Sequence, residues 1–148
     1  MRVVLLTLLS ALAVAGAGAR PDDKAVAADR KAFQGTWAFE SVEVAGQKLP
    51  ADLLKGMTVS FDGDSYSVKQ GDKVVESATQ TLDPSKSPKA LDSKVTAGPN
   101  KGATILGIYE IRGDTLTVCF DPEGKERPKA FKADAGTRTL VVHTRVKK

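Results

Sequence analysis

Short runs in which apolar and polar residues alternate dominate the chain from residue 35 onward. Met57, Val59 and Phe61, for example, alternate with Thr58 and Ser60. Turn sequences rich in Gly, Asp and Pro separate these runs at short intervals. This pattern is typical of antiparallel strands in a barrel or a sandwich. It predicts an all-β protein of about eight or nine strands, in which closure into an up-and-down barrel would remove the exposed edges of the sheet.

The first strand is predicted to bend. Trp37 and Phe39 share one face, and the apolar positions then shift phase to Val42 and Val44. A change of phase inside one strand indicates a β-bulge, which we place near Ser41.

One short helix interrupts the strands. Pro50 stands at a first helical position, two leucines follow, and Gly56 ends the segment. This order of start and stop residues predicts a helix over residues 50–55 that plugs one end of the barrel. Further along, after a loop over residues 121–128, the pattern predicts a short strand around Phe131 and a last strand over residues 138–146.

The start of the chain is typical of a secretory signal peptide. Arg2 precedes an uncharged stretch over residues 3–15, and small residues that fit an Ala-x-Ala cleavage site follow. The uncharged stretch is shorter than the roughly 20 residues that a bilayer requires, so cleavage is favoured over a membrane anchor. We therefore expect a signal peptide at residues 1–19, a flexible leader at residues 20–32 and one barrel domain at residues 33–148. The mature protein would be periplasmic or extracellular and would not span the membrane.

Composition adds little about partners. The formal net charge is +4, but charges of both signs are mixed along the chain. Cys119 is the only cysteine, so the chain forms no internal disulfide and its stability must come from packing. Strand alternation points Cys119 toward solvent or a covering element. We expect a monomer, with a disulfide-linked dimer as the alternative.

Several motifs resemble a known family. Gly35-Thr36-Trp37 is similar to the G-x-W start of lipocalin-like (calycin) barrels. A fuller set in the same order resembles the uncharacterised planctomycete domain family that is often described as lipocalin-like, over nearly all of the mature chain. These motifs are residues 33–37, 49–50, 82–84, 88–92, 98–102, 106–110 and 124–128. The resemblance implies a lipocalin-like barrel and an exported setting. It implies no reaction and no cofactor, since the family has no established active site.

Calycin barrels usually place a basic residue of the last strand against the first-strand tryptophan. In this chain, alternation puts Leu140, Val142 and Val146 on the inner face of the last strand and Arg145 on the outer face. The expected partners of the tryptophan are therefore Arg138, Lys147 or Arg127.

Two functions from different classes follow. The first is a binding module that holds a small apolar or amphipathic ligand, lined by Trp37, Phe39, Phe61, Tyr66, Tyr109 and Phe120. The second is an interaction domain with a filled barrel, which eight strands can produce, contacting an envelope protein or a polysaccharide. Glu126 and Arg127 lie in a long loop of the kind that often carries binding residues; the alternative is an arginine that ties carbonyl groups of the barrel.

Other chemistry is not expected. His143 is the only histidine, no Gly-x-Ser-x-Gly elbow occurs, and a solvated strand histidine is favoured over a catalytic one. Asp62-Gly63-Asp64 lacks the spaced ligands of a calcium loop and reads as a hairpin turn. One histidine and one cysteine are too few for a zinc site of the usual nitrogen and sulfur ligands. We expect no enzyme, no metal and no cofactor, and the export signal argues against a nucleic-acid partner.

Overall fold

The computed structural model describes residues 22–134 and 136–148. The predicted signal peptide, residues 1–19, lies outside these described residues. Two helices and nine strands occur in the order α1 (Asp23–Phe33), β1 (Gly35–Val44), β2 (Gln47–Lys48), α2 (Ala51–Leu54), β3 (Met57–Asp62), β4 (Ser65–Gln70), β5 (Lys73–Asp83), β6 (Lys89–Ala97), β7 (Thr104–Arg112), β8 (Thr115–Asp121) and β9 (Thr139–Arg145).

The strands form an antiparallel, closed, lipocalin-like barrel. Strands β1 and β3 to β9 pair in chain order, and pairing of β1 with β9 closes the sheet into an eight-stranded ring. The two-residue strand β2 adds to the end of β1. The up-and-down barrel predicted from the sequence is thus confirmed, and closure leaves none of its eight strands at an open edge.

Strand β1 bends as predicted. Its first half pairs with β3, from Gly35 to Ala38, while most of its length pairs with β9. The register with β9 shifts between Phe39 and Ser41, which confirms the bulge. Because a bulge increases the local bend and twist, one strand can serve both neighbours at the seam of the barrel.

Helix α1 covers one end of the barrel. The Asp22 carboxylate caps the helix by accepting a hydrogen bond from the Lys24 amide at 3.1 Å. At the other end of the helix, the Phe33 ring is buried against Phe61 and Tyr109, with centroid distances of 5.0 and 5.1 Å. The helix therefore contributes an aromatic side chain to the barrel core.

Helix α1 occupies the described part of the flexible leader predicted at residues 20–32, of which residues 20 and 21 lie outside the described residues. Asp29 accepts a hydrogen bond from the Tyr109 hydroxyl at 2.7 Å and pairs with the Lys89 ammonium group at 2.8 Å. These partners lie 80 and 60 residues further along the chain. Tertiary contacts hold the helix in place, and a local sequence pattern carries no signal for them.

Trp37 and Arg145 close the barrel beneath α1. Trp37 is fully buried, and its indole Nε1 donates to the Phe33 carbonyl oxygen at 2.8 Å. The Arg145 guanidinium lies 4.1 Å from the centroid of the indole ring and donates to the carbonyl oxygens of Ala32 and Gln34 at 2.8 and 2.9 Å. A cation is favourable there, because the last carbonyl groups of a helix lack partners within the helix. We call this end of the barrel the closed end.

Residues 122–134, which we call the covering segment, pack against the outside of the barrel. Pro128 and Ala133 are buried, and the Cys119 thiol contacts the Lys132 carbonyl oxygen at 3.4 Å. The strand predicted around Phe131 is wrong, because this part of the chain is irregular. Covering the outer wall makes apolar residues favourable on both faces of the strands beneath it.

The predicted orientation of the last strand is also wrong. The sequence predicts Leu140 and Val142 on the inner face, whereas Val141 and His143 line the interior and Arg145 contacts Trp37. Strand β9 is apolar on both faces, so alternation alone could not select the inner one. The basic partner of the tryptophan is Arg145, the residue that alternation had placed outside.

Helix α2 lies at the opposite end, which we call the open end. It falls within the predicted helix over residues 50–55, and Leu54 packs against Val42 and Val141. The Gly71 amide donates to the Gly56 carbonyl oxygen at 2.9 Å, which holds the β4–β5 hairpin beside it. Neither helix of the described residues combines the length and the hydrophobicity that crossing a bilayer requires.

We predict that Trp37→Ala lowers the free energy of unfolding by about 3–5 kcal/mol, because it removes a fully buried side chain and leaves Arg145 without its ring. Urea denaturation provides the measurement. Val74→Ala is the control, since Val74 is 48% exposed and should change stability by less than about 0.5 kcal/mol. A loss below about 1 kcal/mol for Trp37→Ala would contradict the closed-end arrangement.

Candidate functional site

A cavity of about 430 Å³ lies inside the barrel. Side chains from all eight barrel strands line it, and most of its surface is apolar. Pro99 and Asn100, from the loop between β6 and β7, also line the cavity and are exposed, so it reaches solvent at the open end. The volume falls within the range of about 300–1,000 Å³ that is typical of small-molecule sites.

Four of the six aromatic residues expected to line the barrel contact this cavity: Phe39, Phe61, Tyr66 and Phe120. Trp37 and Tyr109 instead lie in the buried core beneath α1, together with Phe33. Contact with a ligand stays a prediction for all six residues.

One side of the cavity carries polar groups, of which only Tyr66 was expected from the sequence. We call this group the polar strip; it comprises Tyr66, Glu76, Gln80, Ser93 and Asn100. These residues come from three neighbouring strands, β4, β5 and β6, and from the loop that follows β6. The cavity is therefore amphipathic, with a mainly apolar wall and one hydrogen-bonding side.

A signal for two of these residues was present in the sequence. Ala78 and Leu82 are almost completely buried in β5, and period-two alternation places Glu76 and Gln80 on the same face. Two polar residues in phase with buried apolar ones indicate a polar inner wall. Asn100 gave no such signal, since it lies in a loop.

The environment of the polar strip alters its ionisation. Burial raises the pKa of Tyr66 to about 12; a hydrogen bond with Ser93 opposes this change and the nearby Glu76 adds to it. Burial also raises the pKa of Glu76, and a hydrogen bond with the Asn100 side chain opposes it. Tyr66 therefore keeps its hydroxyl proton at neutral pH and can act as a donor in the cavity.

His143 faces this cavity and is buried. The Phe39 ring meets the imidazole edge-on at a centroid distance of 4.7 Å, and Nδ1 lies 3.3 Å from the Leu116 carbonyl oxygen. Because that oxygen only accepts, Nδ1 carries the proton and Nε2 is the acceptor of a neutral ring. Burial lowers the pKa of His143 to about 4, and the bond to Leu116 opposes that change. The prediction of a solvated strand histidine is therefore wrong.

The structure places the two polar loop candidates, Glu126 and Arg127, in different environments. Glu126 is exposed, with its carboxylate 3.7 Å from the Arg138 guanidinium. Arg127 donates to the carbonyl oxygens of Leu91 and Gly107 at 2.7 and 2.8 Å. Arg127 thus fastens the covering segment to strands β6 and β7.

A second hollow of about 660 Å³ lies on the outer wall, and we call it the outer crevice. Ile108, Pro88 and Pro128 contribute apolar surface, and Lys86 and Lys129 are among its charged residues. It lies between the β5–β6 loop and the covering segment. It has no part in the interior cavity, although Leu91 borders both.

The remaining residues considered from the sequence, Cys119 and residues 62–64, lie in structural environments. Burial raises the pKa of the Cys119 thiol, which lies beneath the covering segment rather than on the surface. Asp62-Gly63-Asp64 spans the turn between β3 and β4, as predicted. Within residues 22–134 and 136–148, no group of three His, Cys, Asp or Glu side chains is placed to hold a metal ion.

No protein-family model matches this chain, and no curated protein matches it in sequence. The site is therefore interpreted from its own geometry.

We predict that His143 makes stability fall as the pH is lowered. The pKa is about 4 in the folded protein and 6.5 ordinarily, so the unfolded chain takes up a proton that the folded protein excludes. This contribution is complete above pH 6.5 and is lost as the pH falls toward 4; between pH 7 and 5 the loss is about 2 kcal/mol. Urea denaturation of the wild type and of His143→Gln at both pH values isolates the contribution of His143 to the pH dependence of the free energy of unfolding. An equal pH-dependent loss in the two proteins would contradict it.

Proposed function

We propose that the protein is a non-enzymatic binding module that holds a small amphipathic molecule inside the barrel. The observation that carries this proposal is the cavity of about 430 Å³ with an apolar wall, a polar strip and an exposed rim. An unfilled apolar cavity forfeits dispersion contacts of its lining atoms, and a ligand of matching shape recovers them. A few polar groups in a mainly apolar site would fix the orientation of such a ligand.

The size of the inner side chains supports the same function. Eight strands enclose a space that side chains can nearly fill, but several inward positions carry small or medium residues. Ser93 and Val118, which line the cavity, are examples. The interior therefore has room that larger residues at these positions would occupy.

We also propose that the protein acts outside the cytoplasm. The charged start, the uncharged stretch and the small residues within residues 1–19 support a cleaved signal peptide. The resemblance to the exported planctomycete family points the same way. An exported binding module of this kind would carry or sense a molecule of the periplasm or of the surroundings.

We predict that the folded protein takes up prodan, a neutral apolar fluorophore, with a saturable rise and a blue shift of its emission. Val118→Phe should weaken binding by at least about tenfold, because the larger side chain projects into the cavity. The matched control is Val142→Phe, on the outer wall of the neighbouring strand, which should alter the Kd by less than about twofold. Fluorescence titration gives the Kd for prodan of the wild type and of both variants, and circular dichroism checks that each protein is folded.

Absence of uptake by the folded wild type would contradict the proposal, as would equal loss in both variants. The second candidate, an interaction domain that contacts an envelope protein or a polysaccharide, would then be favoured. The outer crevice of about 660 Å³, with Lys86 and Lys129 beside apolar surface, is the observation that supports it.

A further inference from the structure

The ionisable side chains that face the cavity favour a ligand of one sign of charge. Of its lining residues in the described part of the chain, Glu76 is the one with a carboxyl group, and none is a lysine or an arginine. The only other ionisable side chains there are His143 and Tyr66, and both are neutral at pH 7 on the environment described above. A charged ligand group inside the barrel would therefore meet one carboxylate and no fixed cation.

Glu76 has no cationic partner within the described residues. Seven ion pairs occur there, and Glu76 takes part in none of them. Its polar neighbours are the Asn100 amide and the Tyr66 hydroxyl. Partial burial of a carboxylate without a counter-charge is unfavourable, so a cation bound beside it would gain a charge-assisted hydrogen bond.

The aromatic wall favours the same sign of charge. Phe39, Phe61, Tyr66 and Phe120 surround the same space, and the faces of aromatic rings attract cations. A ligand carboxylate would face the negative charge of Glu76 with no cation in the lining to oppose it. The cavity is suited to a positive head group joined to an apolar body.

We propose that the ligand is a primary amine with an apolar alkyl or arylalkyl body, whose ammonium group binds Glu76. This inference rests on the proposed function, since it requires a ligand inside the barrel. Gln80, Ser93 and Asn100 carry side-chain oxygens that can accept the remaining ammonium protons. The apolar body contacts the aromatic and aliphatic wall.

Competition against prodan at neutral pH tests the inference with three compounds of equal chain length: decylamine, decanol and decanoic acid. The wild type should bind decylamine at least about tenfold more tightly than decanol, and decanoate more weakly than decanol. Glu76→Gln should abolish the advantage of the amine while leaving the Kd for decanol within about twofold. Glu110→Gln is the matched control, because Glu110 lies on the outer face of β7, beside Arg112, and the ranking should be unchanged.

The outcomes separate this inference from the proposed function. Displacement of prodan by all three compounds with similar constants, or most strongly by decanoate, would overturn the amine assignment and leave the binding module intact. Failure of the folded wild type to bind prodan or any of the three would overturn both. If Glu76→Gln does not fold, the order in which the wild type binds decylamine, decanol and decanoate still tests the amine assignment.

Discussion

The contact between Trp37 and Arg145 is the interaction on which the rest of this structure depends. It joins the first and the last strand at the seam of the barrel, and the guanidinium also binds two carbonyl oxygens at the C-terminal end of α1. The Arg145 side chain thus crosses the seam that β1–β9 pairing closes, covers a buried aromatic ring and supplies the missing partners of a helix end. Sheet closure and helix docking are therefore coupled through the same residue.

This coupling makes the two ends of the barrel different. At the closed end, Phe33 fills the space between Trp37, Phe61 and Tyr109, so the interior there is solid. Toward the open end the cavity begins, lined by aromatic and aliphatic side chains and by the polar strip. Glu76 and Asn100 lie beside this vacant volume. A ligand of the proposed kind would enter from the open end and stop against the aromatic layer.

The sequence predicted what depends on local pattern. Strand alternation, the bulge near Ser41 and the turns gave the barrel, and four of the expected cavity aromatics were assigned to the correct wall. Prediction from the sequence failed where an element is held by contacts distant in the chain, or where both faces of a strand carry apolar residues. Strand β9 carries apolar residues on both faces, so Arg145 was assigned to the wrong face. Helix α1 depends on Asp29 contacts 60 and 80 residues away. Glu76 and Gln80 were missed although they are in phase with the buried Ala78 and Leu82, and Asn100 lies in a loop that carries no such pattern.

Methyl NMR of the protein bound to prodan would show directly whether the interior cavity is the ligand site. We expect intermolecular nuclear Overhauser effects from the fluorophore to the methyl groups of Val59, Val118 and Val141, which line the cavity. The Ile108 methyl groups, which face the outer crevice, should show none. Contacts to Ile108 with none to the three valines would place the ligand on the outer wall and contradict an interior binding site.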